Sequence, residues 1–561
     1  MKRSGLVFLL TLTLYTFGLL ASPYWLDSSE FAVAAFSLGV AHPPGHPLAL
    51  LVGKLCTFFP FGSVALRVGF AAALATALAA VQVSRLATLV SRRVAGRADL
   101  CRFDQAGGAV SGLLFALSYG AGFSAVRPEV YGLSTLLCLS GVYAVAELQE
   151  SGDRARLYVA ALWFGLALCN HHLLALSVMV PALLLALFSL RRRAPLVASV
   201  LALLVVLGCL SIYLYLPLRA LHHPPINWGV ATTWPRFFWV VSGAAFQKSL
   251  HHAAPDAVGV SAALLGELNP IGLLAAVAGL YVLLRSAFTR SLGLLLLLAA
   301  LADAAMPALV GFDADNPDAY GYLETAVALL AASTVALPSA LAPLWRRRRK
   351  IYFAGVGGAA AAAITLSGLA TLPRWWRPNE RATEAVLGDF LRSTPPHGLL
   401  VSSYFQSIFA LSYLQSVAGM RPDVTLLHRH FLPYPGYGEE FARQHPRLAP
   451  LLGDRDIRAE ALAGAPSLIE YDLDLPATLV PAARVVPVAV PLDDPETRKF
   501  AGWQRLLELH RSCRLKDETA SASATAAARE LLGDSPELRD LVAHCRDANV
   551  ATWRPGASPI D

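Results

Sequence analysis

Apolar windows of about 20 residues recur along the first two thirds of the chain, and nothing else in the sequence limits its fold as strongly. They fall near residues 5–22, 64–90, 106–124, 130–148, 157–170, 173–190, 196–217, 261–284, 291–311, 321–343 and 351–372. About eleven membrane-spanning helices are expected. The fifth and sixth are short enough to form one re-entrant hairpin around Asn170-His171-His172. With 55% hydrophobic and 15% charged residues the chain is too apolar for an ordinary soluble protein. Its net charge of +7 does not point to nucleic acid. The basic residues gather in short clusters at the ends of apolar runs (Arg92-Arg93, Arg191 to Arg193, Arg346 to Lys350), as cytoplasmic loops do.

That rule puts the N-terminus inside and, after an odd number of spans, the C-terminal part outside. The first apolar run, after Met1-Lys2-Arg3, is read as an uncleaved span and not as a signal peptide. Residues 1–372 form the membrane domain and 373–561 a soluble outer domain. Arg374-Trp375-Trp376-Arg377 between them reads as an interfacial anchor. In the outer domain Gly398–Ser403 and Asp423–Leu427 read as strands flanking a helix over Phe405–Val417, the signature of a small α/β fold. The Ala/Ser/Thr-rich stretch Thr519–Ala528 is expected to be loosely ordered. Cys513 and Cys545 can pair if this part faces an oxidising compartment, whereas the other five cysteines lie in or beside apolar segments as packing residues.

On the outer side the loops carry the unusual polar residues. Asp27-Ser-Ser-Glu30 opens this set, with His42-Pro-Pro-Gly-His46-Pro47 close behind. The first group has a plain explanation as a capping box, Asp27 capping a helix from Ser28 and Glu30 reaching back. It also supplies a carboxylate base at the membrane rim, which suits transfer of a sugar from a lipid phosphate to a hydroxyl. The leaving phosphate needs positive charge, for which Arg67, Arg127, Arg219 and Lys248 are the outer-face candidates. His42 and His46 are four apart, but the intervening prolines forbid the helical geometry that binds zinc at that spacing, and no metal is expected. Glu129 and Tyr131, with Asn170, His171 and His172, sit at span ends on the same face. Each alone is explained by an interhelical hydrogen bond. Asn316 and Asp318 fall in a segment that reads equally as a turn. The stretch Trp234–Phe246 suits a helix lying in the interface. No Walker A, G-x-S-x-G or zinc-ligand spacing is present.

Taken together, Asp27-Ser-Ser-Glu30-Phe31, the His42–Pro47 turn with Gly53-Lys54, Glu129-Val-Tyr131, Asn170-His-His172, Pro217-Leu-Arg219 with Asn227-Trp-Gly229, and Asn316–Tyr320 resemble a bacterial membrane family. That family is similar to the eukaryotic transmembrane protein O-mannosyltransferase of plexin-type domains, and both resemble the GT-C glycosyltransferase class. The resemblance spans roughly residues 10 to 435. It departs at Ser402-Ser403-Tyr404, where the family tends to carry an Asp. It implies a GT-C-like helical membrane protein with an extracytoplasmic domain, in the bacterial cytoplasmic membrane. It further implies inverting transfer of mannose or a similar hexose from a polyprenyl phosphate to a protein or envelope-glycan hydroxyl, without a resident cofactor. By position Asp27 is the first choice of base, Glu30 the second, and Glu129 an orienting group. His42, His46, Arg127, Tyr131, Asn170, His171, His172, Arg219, Asn316 and Asp318 are the donor- and substrate-binding candidates. The competing readings are a transporter of lipid-linked sugars, disfavoured by the lack of a duplicated half, and a sensory membrane protein.

Overall fold

In the computed structural model, residues 2–97, 101–190, 195–247, 254–377, 380–453, 456–462, 465–546 and 550–555 are described. Lys248 and the Arg191–Arg193 cluster lie outside them. Among the described residues eight helices are long and apolar enough to cross a membrane, and a bent pair, Arg102–Ala116 with Tyr119–Ala125, makes a ninth. The first expected span is a shorter helix, Lys2–Gly18. The fifth and sixth run on as one helical stretch, Ala155–Leu190, whose backbone leaves helical geometry at His171.

The side chains show that this stretch folds back at His171. Before it, Arg156 pairs with Glu147 and Asn170 with Ser134, so that half runs antiparallel to the Tyr131–Ser151 helix. Beyond it, Ser177 bonds Asp303, while Pro181 and Leu184 lie with Leu298 and Leu301, deeper along the Arg290–Val310 helix. The expected hairpin is therefore present.

Small residues let the helices approach closely. A Cβ on Gly112 would stand 2.7 Å from the Ala80 carbonyl oxygen of the Val64–Val94 helix. Where helices break inside the bundle, buried carboxylates take up the freed N–H groups. Glu267 accepts from Gly120 at the start of the Tyr119–Ala125 helix, and Asp303 accepts from Ala326. These acids were not singled out by the sequence, and their bonds account for them.

Trp375 is no interfacial anchor. It is fully buried, edge-on to Tyr15, and fills the space above Gly122, where a Cβ would lie 2.2 Å from its ring. Arg374 stacks on Tyr119 at 3.9 Å. By contrast, Trp234 and Phe238 of the Trp234–Val241 helix are largely exposed, as an interfacial helix requires.

The outer domain is built on a parallel sheet of β1 (Leu399–Ser402), β2 (Thr425–His428), β3 (Ser467–Glu470) and β4 (Ala483–Arg484), in the order β2-β1-β3-β4. The helix Phe405–Ser416 joins the first two strands, as the sequence predicts. The Ala-rich stretch is ordered: it forms the helix Glu518–Leu532, capped by Asp517, because Ala is the strongest helix former. Cys513 and Cys545 are disulfide-bonded.

Candidate active site

The site is a short loop system between the Lys2–Gly18 and Val64–Val94 helices. Its backbone is forced into the left-handed region at three residues with side chains, Leu26 (φ 62°), Leu38 (φ 54°) and His46 (φ 44°). Such positions cost of order 1–3 kcal/mol each and persist only where surrounding contacts over-determine them. At Leu38 they include the bond from Arg219 to its carbonyl, and at His46 the bond to the Asn170 carbonyl; at Leu26 they come from the outer domain. The Tyr24 hydroxyl donates to Asp494 at 2.6 Å, the Trp25 indole N–H to Thr497 at 2.8 Å, and the Leu26 N–H to Gln406 at 3.2 Å.

The capping box is absent. Asp27 does precede the Ser28–Ser37 helix, but its side chain makes no capping bond. Glu30 turns to His42 instead. Its Oε1 accepts the His42 backbone N–H and its Oε2 meets the ring Nδ1, both at 2.7 Å. The other ring nitrogen, Nε2, lies 3.8 Å from Asp27 Oδ2. Glu30 is wholly buried, whereas the Asp27 side chain keeps 27% of its surface exposed. Of the two carboxylates, Asp27 is the one open to a substrate.

Burial pushes the Asp27 carboxyl up to about 7, against the opposing pull of the His42 ring. Burial also works against charge on His42, but Asp27 and Glu30 outweigh it and hold the ring up to about 10, so it is a cation at neutral pH. His46 goes the other way. Burial, and then the charge of His42, keeps it well below the usual histidine range. Its Nδ1 sits 2.8 Å from the Asn170 carbonyl oxygen and must donate there, which leaves Nε2 as an unpartnered acceptor. Asn170 is fixed in turn by the Val130 carbonyl and Ser134. The His171 ring completes this wall, packed against His46, Tyr131 and Tyr322. His172 next to it is half-buried.

Other expected residues lie outside the reacting surface. Arg127 is fully buried and taken up by Ser28 and Glu129, both at 2.8 Å, and by Asp318. It is a strut beneath the Asp27 turn, not a free cation. Glu129 receives Arg127 and the Val130 N–H, and its hydrogen bonds reach Asp27 through that strut. Asn316 caps its own turn by accepting the Asp318 N–H, as the plain reading of that segment holds. Arg67 donates to the carbonyls of Thr57, Phe59 and Ser63.

Arg219 remains. It donates to the Leu38 and Ser37 carbonyls at the end of the Ser28–Ser37 helix. Beside it stands Lys54, which donates to the Phe36 carbonyl, and no carboxylate pairs with either among the described residues. Burial, and then the charge of Arg219, lowers the Lys54 ammonium. Exposed Phe36, Leu55 and Phe58 surround the pair. Lys54 stands in the Gly53-Lys54 motif, which was the available signal for it. Trp228, of the Asn227-Trp-Gly229 motif, and Phe246, at the end of the Trp234–Phe246 stretch, also border the site, as does Gln406, which no local pattern marks.

Asp27, Glu30 and His42 are also close enough to share a cation, with one ligand atom from each within 4.8 Å of the others. His42 already stands between the carboxylates as a positive group.

Fold and site define a polytopic membrane protein with an acid–histidine cluster at one rim of its helical bundle, clamped from above by a small α/β domain. Residues 27–195 match the family model described as the N-terminal domain of protein O-mannosyl-transferase TMEM260. Over 217 residues the chain is 33% identical to protein O-mannosyl-transferase TMEM260 of Mus musculus, a match covering 37% of this chain and 29% of that protein. The chain thus matches less than a third of that relative's length. The likeness implied by the motifs is borne out, over a shorter stretch than residues 10 to 435. Among solved structures, ArnT from Cupriavidus metallidurans bound to undecaprenyl phosphate is 14% identical with a TM-score of 0.46, covering 80% of this chain and 95% of its own. The Archaeoglobus fulgidus oligosaccharyltransferase tethered with an acceptor peptide is 11% identical with a TM-score of 0.43, covering 79% and 67%.

Proposed function

We propose that the chain is a GT-C-type glycosyltransferase that moves a hexose, mannose or a close relative, from a polyprenyl phosphate to a hydroxyl of a protein or an envelope glycan. The observation that carries this reading is the partly exposed Asp27 carboxylate beside a cationic His42 at the membrane rim, at the start of the segment that matches the O-mannosyltransferase family.

In the reaction the acceptor oxygen attacks the anomeric carbon as the bond from that carbon to the phosphate oxygen breaks. The bonding pair leaves with the phosphate, and the hydroxyl proton passes to Asp27. Attack opposite the leaving group inverts the sugar. A carboxyl titrating near neutrality suits a general base, which must be ionised yet basic enough to take a proton. His42, held by Glu30, fixes the height and charge of Asp27. Lys54 and Arg219 receive the phosphate, since the other expected arginines are engaged elsewhere.

The C-terminal domain faces the outer side of a bacterial cytoplasmic membrane, with the N-terminus inside. Two features support this: Arg92, Arg93 and Arg156 cluster with Glu150 and Glu147 at the end of the bundle away from the site, and the outer domain carries a disulfide. The test is transfer from labelled lipid-linked hexose in membranes holding Asp27→Asn. A loss of roughly 10²- to 10⁴-fold is expected, and unchanged turnover sinks the reading.

A further inference from the structure

A cavity of about 550 Å³ opens between the Pro225–Gly229 loop and the outer domain, a volume within the range of ligand sites. It borders the site described above through Trp228, whose ring lies 6.3 Å from that of His42. The loop that walls it is stitched to the segment leading to His42. Val40 N–H donates to the Ile226 carbonyl at 2.8 Å, and Trp228 N–H to the Val40 carbonyl at 3.1 Å. Asn227 also lines the cavity, and its Oδ1 is a buried acceptor with no partner among the described residues.

The opposite wall is the outer strand of the sheet. Thr425 and Leu426 of β2, and Val424 just before it in the same extended run, line the cavity. Consecutive strand residues point to opposite faces, so a cavity touching three in a row meets the edge of the strand. β2 pairs with β1 on one side and has no strand on the other among the described residues. Thr425 N–H donates to Gly398 on the β1 side. By alternation, Val424, Leu426 and His428 face away from β1; Gln415 Nε2 donates to the Val424 carbonyl at 2.7 Å and the Tyr437 hydroxyl accepts the His428 N–H at 2.8 Å, so Leu426 carries the outward N–H and C=O that have no backbone partner among the described residues.

We infer that this cavity is the acceptor site, and that it takes an extended peptide whose backbone pairs with the outward N–H and C=O of Leu426 on β2 while a side-chain hydroxyl passes Trp228 toward Asp27. This rests on the transferase reading. An edge strand binds main chain through its own N–H and C=O groups and leaves side chains to pockets. Here the rings of Trp228, Phe431 and Tyr434 form such a pocket.

The test measures binding and needs no turnover. The full-length protein in detergent is photolabelled with the peptide acetyl-Val-Thr-Val-Thr-amide carrying a C-terminal benzophenone, and the labelled residues are mapped. Label is expected on the Phe405–Ser416 helix or residues 422–426. Leu426→Pro removes the edge N–H, while Leu426→Val keeps it. Labelling should fall about five- to tenfold in the first, the worth of a backbone hydrogen bond or slightly more, and stay at the wild-type level in the second. Ser412→Trp, which fills the cavity from the Phe405–Ser416 helix, should also abolish it. Equal labelling of the Pro and Val variants, labelling outside the cavity, or displacement of the peptide by a neutral mannose oligosaccharide overturns the proposal. Failure of the transferase reading shows separately, as absence of donor turnover in the wild type.

Discussion

Glu30 and His42 are locked together: both carboxylate oxygens of Glu30 hold the histidine, one at its backbone N–H and one at its ring, each at 2.7 Å. Three residues earlier Asp27 is left with an open carboxylate. Two similar residues are thereby separated, Glu30 closed around the histidine and Asp27 partly exposed.

The pH dependence follows from that division. Asp27 must be ionised to accept a proton, so kcat/KM should rise with pH through a midpoint near 7. His42 opposes the upward shift of Asp27, so His42→Asn should move the midpoint higher. A pH–rate profile of the two proteins reads this directly, and an unmoved midpoint counts against the pairing.

His42 also links pH to stability. Its ring is held up to about 10 in the fold against an ordinary value near 6.5, so its contribution is complete below 6.5 and is lost as pH rises through about 10. Thermal unfolding in detergent should show a fall in midpoint across that window that is smaller in His42→Asn than in the wild type.

Arg127 and Arg219 should behave differently although both read from the sequence as phosphate candidates. Arg127→Met leaves Glu129 and Asp318 as buried charges without their partner, a loss of about 3–5 kcal/mol, and should reduce folded yield. Lys54→Ala and Arg219→Ala remove cations with no carboxylate partner among the described residues. Each should leave folding intact and raise the donor KM by about tenfold or more, the worth of a hydrogen bond to a charged group.

Chelation tests the role given to the histidine. With His42 as the cation between Asp27 and Glu30, transfer should persist after EDTA treatment and dialysis. Loss of activity restored by a divalent ion would assign the cluster to a metal instead.

The sequence exposes the membrane half well, because burial in lipid demands long apolar windows and these are readable without any tertiary information. The hairpin at His171 was legible for the same reason, as two short windows flanking polar residues. What escaped was set by distant contacts. The local rule at Asp27–Glu30 is a capping box, and it loses because His42, twelve residues on, offers Glu30 two donors. Trp375 reads as an anchor from its neighbours, and is a core residue because Gly122 leaves room for it. Arg127 reads as a phosphate ligand from its loop, but Asp318, far along the chain, pairs with it.

The bonds from Tyr24 to Asp494 and from Trp25 to Thr497 join residues 470 and 472 positions apart. The partners that shape the Asp27 turn thus lie beyond every candidate span. During synthesis they emerge only after the helical bundle, so the form of this turn is settled by chain that follows the whole membrane half.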